Sequence, residues 1–598
     1  MKHQGPSIWL GQFRQDRVLY PKFPRTIRSL LCLVETSVVL LAARHHVDGA
    51  TINAKSVSLE DVSSAVTSAR DGDTVAVPAG RASWTSVLSI TKGISLQGAT
   101  IVTNAGTAKA TANDLTIIQD DSMPNTKQSG LIKVTLSASQ SFRLTGFTFT
   151  HGSRTTFNQL GAVHLTSPAG DKLPVTNIRV DHCHFDHIYG RNIQTDGWVY
   201  GVADHNWIVV QGNGQTFFVN NGTYGGYTQG NGAWADYPWF GTNKFFFIED
   251  NTLVGNGTVT SSGAIDSEYG GRFVVRHNYL NNAHVGWHGT EGGNRGCRAV
   301  EVYDNSWYWT LAPSQLHRSG TCLFHDNSWS GSSASHGPYH STIQIYREHG
   351  GVGVRSVEGV ADGTSPWDMN DTEGNGKYVE GHSPHLFEKG TATTDGIQSG
   401  GTATLTDSSK NWTVNQWKGY SVTQENPSAA SYLKGSYIIS NTATTLTYAY
   451  YADTDRGPNL KFTSGDAYQI HRVLVVLDQF GRGKGDLVSG GTQSNLINTV
   501  TRTKQWPHQA LEPAFSWNNV YTPTSTAWGF NAGATPTEVE GRDYYNLGEG
   551  FAADSTPSQV LSIYTASLNG VAYSGTYHYP HPLVSGLPST NSREKAKD

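Results

Sequence analysis

Apolar and polar residues alternate in short runs along most of this chain, and helical heptads are absent. Four of these runs, "FFFIEDNTLV", "RFVVRHNYL", "AVEVYDNSW" and "CLFHDNSW", align on Asn251, Asn278, Asn305 and Asn327, at intervals of 27, 27 and 22 residues. "GVADHNWI" adds Asn206, and "NIRVDHCHF" puts Cys183 in the same column 23 residues earlier; the step from Asn206 to Asn251 is 45, about two periods. Such a period suits a coil of three short strands and three turns, repeated as a stack. Parallel strands stack about 4.8 Å apart, so asparagines at one turn can hydrogen-bond up the stack as a ladder. The column therefore reads as structural.

Alternation then assigns the faces. Phe246 and Ile248, Phe273 and Val275, Val300 and Val302, Cys322 and Phe324 point inward, as do Leu253, Leu280, Trp307 and Trp329 after the turn. Phe247 and Glu249, Val274 and Arg276, Glu301 and Tyr303, Leu323 and His325 point outward. One outer face thus carries Glu249, Arg276 and Tyr303 in a column, with Glu301 beside Arg276 on the next coil. The residue before each Asn falls at the bend, where alternation does not orient it.

Upstream, "SLEDVSSAVTSARDGDTVAVPAG" places Leu59, Val62, Val66 and Ala69 on one helical face, with Ser58 and Asp61 as a plausible cap. A short amphipathic helix before a run of strands can cover the open end of a β-coil stack. This order, helix, "GDTVAVPAG", then short strands, is similar to the start of right-handed parallel β-helix proteins of the pectate-lyase-like (pectin lyase fold) superfamily. The expected fold class is all-β: a right-handed parallel β-helix of three-strand coils with an N-terminal capping helix and a small inserted β module. The resemblance implies an architecture and no single reaction, since such folds host lyases, hydrolases, epimerases and inert tailspike-like adhesins.

The organisation expected is a leader at 1–48, β-helix with a long aromatic loop at 49–388, an inserted Thr/Ser-rich β module at 389–471, a return to the β-helix body at 472–585 and a disordered tail at 586–598. Lys22, Arg25 and Arg28 precede an apolar stretch from Leu30 to Ala43 and then small residues, the layout of a secretory signal, interrupted by Glu35. A membrane span needs about 20 apolar residues, so secretion is expected, with no membrane association after leader removal. Composition agrees with a turn-rich β protein: 66 Gly, 16 Trp, 27 Tyr and only 3 Met among 598 residues. A net charge of −5 without a basic stripe argues against nucleic acid as a partner, and the aromatic and Asn content suits a polysaccharide. Cys32 would leave with the leader; Cys183, Cys297 and Cys322 remain, an odd number that argues against a disulfide framework.

Charge is sparse except between 266 and 305. With the apolar residues spent inward, Asp266, Glu268, Arg272, Arg276, His284, His288, Glu291, Arg295, Arg298 and Glu301 are left for the outer surface and its turns. One reading is a solvated ion-pair network. The other is a cleft, favoured by the density of charge and by "GWHGTEGGNRG", a Gly-rich turn that lets backbone approach a ligand. In the cleft reading Arg276, His288, Glu301, Arg272, Asp266 and Glu268 are the catalytic candidates. Arg298, Arg295, Glu249, Tyr303, Trp234, Trp239 and Trp287 are the substrate-binding candidates, with the long loop "GAWADYPWFG" supplying rings for sugar stacking or packing on itself. A second cluster, Asp478, Arg482, Lys484, His508 and Glu512, returns to the same body.

"VDHCHFDH" supplies His182, His184 and Asp186, but alternation does not bring them to one face, so metal, groove lining and plain polar surface stay open there. No metal site is identified and no cofactor is certain; the resemblance admits Ca2+ on Asp266, Glu268 or Asp181, although no acidic loop has recognisable ligand spacing. Elimination from a uronic acid needs a cation for the carboxylate and a base for the C5 proton; in the resembling lyases an Arg often serves as base. Hydrolysis needs two carboxyl groups across the bond. Four arginines within 27 residues favour an anionic substrate, and the polygalacturonase motif set is absent apart from "GWHG", a faint echo of one member. The expectation is a secreted lyase acting on an acidic polysaccharide, with a glycoside hydrolase and a non-catalytic glycan binder as alternatives. In the first, Arg276 or Arg272 neutralises the carboxylate, His288 or an arginine is the base, and Glu301, Asp266 and Glu268 orient the sugar or hold a cation.

Overall fold

A computed structural model describes residues 49–121, 130–168, 170, 172–227, 230–256, 263–289, 295–310, 315–331, 341–343, 386–418, 420–425, 434–450, 460–471, 480–484, 509–531, 540–541, 543–547 and 573–586. The leader, the tail beyond 586, Glu291, Asp478 and His508 lie outside them. Gly49 onward forms one compact unit.

The chain is a parallel β-helix. Among the described residues its first sheet has twelve strands, running from Thr51–Asn53 through Thr74–Ala76, Ser95–Gln97 and onward to Ala514–Trp517 and Tyr544–Leu547. A second, of eleven, begins at Gly80–Trp84, and a third, of six, runs from Leu88–Ile90 to Ile265–Glu268. Successive coils pair in parallel without slippage through the repeat: Phe246 faces Phe273, Phe273 faces Val300 and Val300 faces Cys322. The helix Leu59–Ser68 starts where Ser58 Oγ accepts the Asp61 N–H at 3.2 Å, and buries Val62, Ala65 and Val66 against the first coils.

The asparagines stack as their column predicts. Asn206 Nδ2 donates to Asn251 Oδ1 (2.9 Å), Asn251 to Asn278 (3.1 Å), Asn278 to Asn305 (3.0 Å), Asn305 to Asn327 (3.0 Å) and Asn327 to Asn519 (2.8 Å), all buried. The ladder ends at Cys183, whose backbone N–H donates to Asn206 Oδ1 at 3.0 Å. The residue before each rung, which alternation leaves unoriented, adopts left-handed backbone: φ is 49° at His182, 54° at His205, 56° at Asp250, 54° at His277, 54° at Asp304, 54° at Asp326 and 53° at Asn518. Asn, Asp and His tolerate that region better than other side chains, which accounts for the composition of the row. Cys183, Cys297 and Cys322 are free and buried.

Inward residues form one continuous core from Ala54 to Tyr544, containing Phe246, Phe273, Val300, Phe324, Trp307 and Trp329. A second core lies on the outside of the first sheet, where Val202, Phe247, Val274, Tyr303, Leu323 and Phe515 pack under Phe240 and the partly buried Tyr577, Leu583 and Val584. Residues 573–586 thus form a strap across that face. Leu386–Thr391 to Ala467–His471 contribute seven antiparallel strands around a separate core that buries Trp412, Trp417 and Tyr448.

Candidate active site

Sequence alternation gives the charged residues of 272–303 the right direction but not their surroundings. Arg272, Arg276, Arg295, Arg298 and Glu249 are 0% exposed, and Glu301 and Tyr303 only 1%. The expectation that they face an open cleft is corrected: the loop around 233–241 and the strap lie over them. Arg272 donates to the carbonyls of Pro238 (2.9 Å) and Ala233 (2.7 Å), and Arg298 to those of Trp234 (3.1 Å) and Asp236 (2.7 Å). Arg298 also pairs with Glu512 at 2.7 Å, and the Arg295 and Arg298 guanidinia lie 5.4 and 5.7 Å from the Trp234 ring centre. These arginines clamp the aromatic loop onto the coils. Arg276 pairs with Glu249, bonds Tyr303 Oη (2.9 Å) and holds the strap carbonyls of Tyr577 (2.7 Å) and His578 (2.9 Å).

Glu301 accepts the Gly241 N–H at 2.8 Å through Oε1, while its buried Oε2 has no hydrogen bond among the described residues. Burial pushes its carboxyl up to about 7 against the pull of Gly241 and Arg276. Burial likewise removes Trp234 and Trp287 from any sugar-stacking face. Trp234 is fully buried, Trp287 belongs to the inner core with Nε1 on Ser319 O (2.9 Å), and Trp239 is covered by Lys244 Nζ, 3.3 Å from its ring centre.

The remaining candidates, Asp266, Glu268 and His288, come together on the outside of the third sheet. Strands Arg191–Asp196, Gln215–Asn220 and Ile265–Glu268 pair there with Arg191 facing Gln215, Gln194 facing Phe218, Phe218 facing Asp266 and Asn220 facing Glu268. Ile193, Phe217 and Ile265 are spent on the core, so the alternate residues Gln194, Asp196, Phe218, Asn220, Asp266 and Glu268 project outward, while Arg191 and Gln215, at the first position of their strands, break the alternation and join them there. The backbone N–H of His288 donates to Ser267 O at 2.9 Å, which sets His288 one coil beyond Glu268 in the same row. An open cleft of about 500 Å³ lies along these rows, lined by Leu160, Arg191, Gln194, Asp196, Phe218, Asn220, Glu268 and Tyr269.

A chain of hydrogen bonds leads from Arg191 in the cleft wall to His288. Arg191 Nε donates to Gln215 Oε1 (2.9 Å), Gln215 Nε2 donates to Asp266 Oδ2 (2.9 Å), and Asp266 Oδ1 bonds His288 Nδ1 (2.8 Å). The Arg191 guanidinium lies 3.3 Å from the Phe218 ring centre, with Nη1 on Gln159 O (2.6 Å) and Gln194 Oε1 (3.0 Å), an arrangement that leaves Nη2 for a ligand. Burial lowers Arg191 to about 10, countered by Asp266, Glu268 and Asp196, so it stays cationic at neutral pH. Burial pushes Asp266 up, but His288 and Arg191 outweigh it and the carboxyl sits below its ordinary value. Burial lowers His288, but Asp266 outweighs that, and the imidazole sits above its ordinary value. Tyr269, at φ 50°, holds a strained left-handed backbone fixed by its N–H on Arg295 O (2.8 Å); burial, Glu268 and Asp196 raise its hydroxyl.

Arg191, Asp196, Gln215 and Tyr269 are absent from the sequence-derived candidates. At the "VDHCHFDH" cluster, Asp181 pairs with Arg143 (2.7 Å), His182 with Asp181 (2.8 Å) and His184 with Asp114 (2.9 Å). Among the described residues no group of three or more His, Cys, Asp or Glu could hold a metal ion.

No family model matches the chain, and no curated protein does. Among solved structures it is similar to an alginate lyase from Paenibacillus sp. str. FPU-7, at 13% identity over 49% of this chain and 91% of that one, with a TM-score of 0.29. It is similar also to ORF18 of Geobacillus virus E2 (12% identity, 70% and 79% of the chains, TM-score 0.27). A mutant tailspike protein of E. coli bacteriophage HK620, in complex with a pentasaccharide, matches at 10% identity over 67% and 86% of the chains, with a TM-score of 0.21. Likeness of this degree says nothing of chemistry.

Proposed function

We propose that this chain is a secreted enzyme that cleaves a uronic-acid-containing polysaccharide by β-elimination in the cleft on the third sheet. One observation carries the reading: a cationic guanidinium with a nitrogen to spare, in the wall of an open groove, is joined through one side chain to a carboxylate-held imidazole. Arg191 takes the substrate carboxylate and stabilises the charge that develops there as C5 loses its proton. Neutral His288 accepts that proton at Nε2, its Nδ1–H held by Asp266. The C5–H electron pair becomes the C4–C5 double bond as the C4–O bond breaks, and the Tyr269 hydroxyl protonates the departing oxygen; solvent then restores both groups. Asp196 and Glu268 take the sugar hydroxyls.

The second reading, glycoside hydrolysis, rests on those two carboxyl groups. Asp196, one step beyond the Thr195–Val219 pair, falls in the row of Asn220 and Glu268, two coils from Glu268. Two steps of about 4.8 Å set the strands about 9.6 Å apart, close to the carboxyl separation of inverting enzymes, about 6.5–9.5 Å.

The test is incubation of the protein with a panel of polyuronides and neutral glycans, following both the ultraviolet absorbance of unsaturated uronate ends and the release of reducing ends. Absorbance together with reducing ends supports elimination. Reducing ends without absorbance mean hydrolysis, and binding without either means a glycan-binding protein and overturns the enzyme reading.

A further inference from the structure

Gln215 is the only side chain in the hydrogen-bond chain that cannot be charged, and its orientation is unambiguous. Arg191 Nε can only donate, so the amide oxygen must face it, at 2.9 Å. Asp266 already accepts the Ser267 N–H (2.8 Å) and faces His288 Nδ1 (2.8 Å), and as a carboxylate it can only accept, so the amide nitrogen must face Oδ2, at 2.9 Å. Its strand is locked in place, with Gln215 facing Arg191 across the pair and the Gln215 backbone carbonyl accepting the buried Asn192 Nδ2 at 2.8 Å. The amide therefore fixes two things at once: the direction in which Nη2 of Arg191 is presented, and the rotamer in which Asp266 receives the imidazole.

We propose that Gln215 is a positioning residue that holds the carboxylate-binding guanidinium and the proton-accepting imidazole at one spacing, and so restricts the cleft to glycans whose carboxylate is borne on the carbon that loses its proton. The inference rests on the reading of this cleft as an elimination site. A sulfated or neutral glycan can occupy the groove but presents no carboxylate at that spacing. Removing the amide donor leaves Asp266 Oδ2 with one hydrogen bond fewer, which makes the carboxylate a stronger acceptor and the His288 imidazolium harder to deprotonate. Among the described residues, Glu268 also raises His288 and Arg318 lowers it, and neither substitution below touches them.

The two halves of the amide can be separated by substitution. Gln215→Leu loses both, so KM for a polyuronide should rise while the alkaline shift of the pH–rate profile appears with it. Gln215→Glu keeps an acceptor for Arg191 and replaces the donor to Asp266 with a second negative charge, so KM should hold while the profile still moves to higher pH. The readout independent of turnover is the NMR titration of the His288 imidazole in the full-length protein, assigned with His288→Gln. Both variants should raise its midpoint by roughly fivefold in acid constant or more, the equivalent of one hydrogen bond of about 1 kcal/mol. If both variants stay folded by circular dichroism and the His288 titration does not move, the positioning role is overturned. If the titration moves as stated and no glycan is cleaved by the wild-type protein, the linkage stands and the elimination reading fails.

Discussion

Glu249 holds Arg276 with one carboxylate oxygen, at 2.7 Å, and the backbone N–H of His581, 332 residues further along the chain, with the other, at 2.8 Å. The pair is fully buried, and Arg276 completes the bracket by bonding the strap carbonyls of Tyr577 and His578. Arg276→Ala is therefore a stability variant. It strands the Glu249 charge under the strap and should cost about 3–5 kcal/mol in denaturant unfolding. Whatever fraction stays folded at low temperature should keep wild-type kcat/KM, because Arg276 lies on a different sheet from the cleft.

Glu301 makes stability fall with pH. Its carboxyl is raised from 4.5 to about 7, so the folded state holds a proton that the unfolded state releases earlier. The stabilisation is fully present below about pH 4.5 and lost as pH rises through about 7, a swing on the order of 3 kcal/mol at about 1.4 kcal/mol per unit. Glu301→Gln, which stays neutral, should flatten that part of the pH–stability curve in thermal unfolding. A curve of unchanged slope would show that Glu301 is not the group responsible.

The Asn ladder should behave as a structural spine. Asn278→Leu removes the acceptor of the Asn251 backbone N–H and amide, 2.9 and 3.1 Å away, and should cost about 1–3 kcal/mol through groups left buried and unpaired. Denaturant titration reads it, with activity unchanged in the folded fraction.

In the cleft, the rate should rise with pH, since His288 must be neutral to accept a proton and Asp266 holds it charged to higher pH than an ordinary histidine. The limb of a kcat/KM profile should accordingly have its midpoint above the usual value of about 6.5. His288→Ala and Arg191→Ala should each lose about 10²-fold or more in rate, measured on the fraction that stays folded.

Direction was legible in the sequence; cover was not. Alternation sends Glu249, Arg276 and Tyr303 outward, as found, but the segment that seals them comes from 573–586, about 300 residues away, and no local pattern reports so distant a neighbour. The aligned repeats also drew attention to the first sheet, where identical asparagines mark the register. The third sheet carries no such marker. Its strand at 265–268 falls in the charge-dense stretch, so Asp266, Glu268 and His288 stand out, whereas Arg191, Asp196 and Gln215 sit in runs of ordinary composition. Alternation around Ile193 sends Asp196 outward, but the same pattern would turn Arg191 and Gln215 inward with Ile193 and Phe217, so these two are legible only once the strands are stacked coil on coil.

The ladder spends 22 residues between Asn305 and Asn327, 45 between Asn206 and Asn251, and 192 between Asn327 and Asn519, yet each step is closed by the same side-chain bond at 3.0, 2.9 and 2.8 Å. Axial advance is thus decoupled from contour length. A coil can lengthen its excursion almost without limit, because closing a longer loop costs only about 0.6 kcal/mol per doubling, while the rungs on either side keep their spacing. The spine acts as a fixed rack on which insertions of any size can be hung, so new surface can be acquired at one turn without re-registering the groove at another.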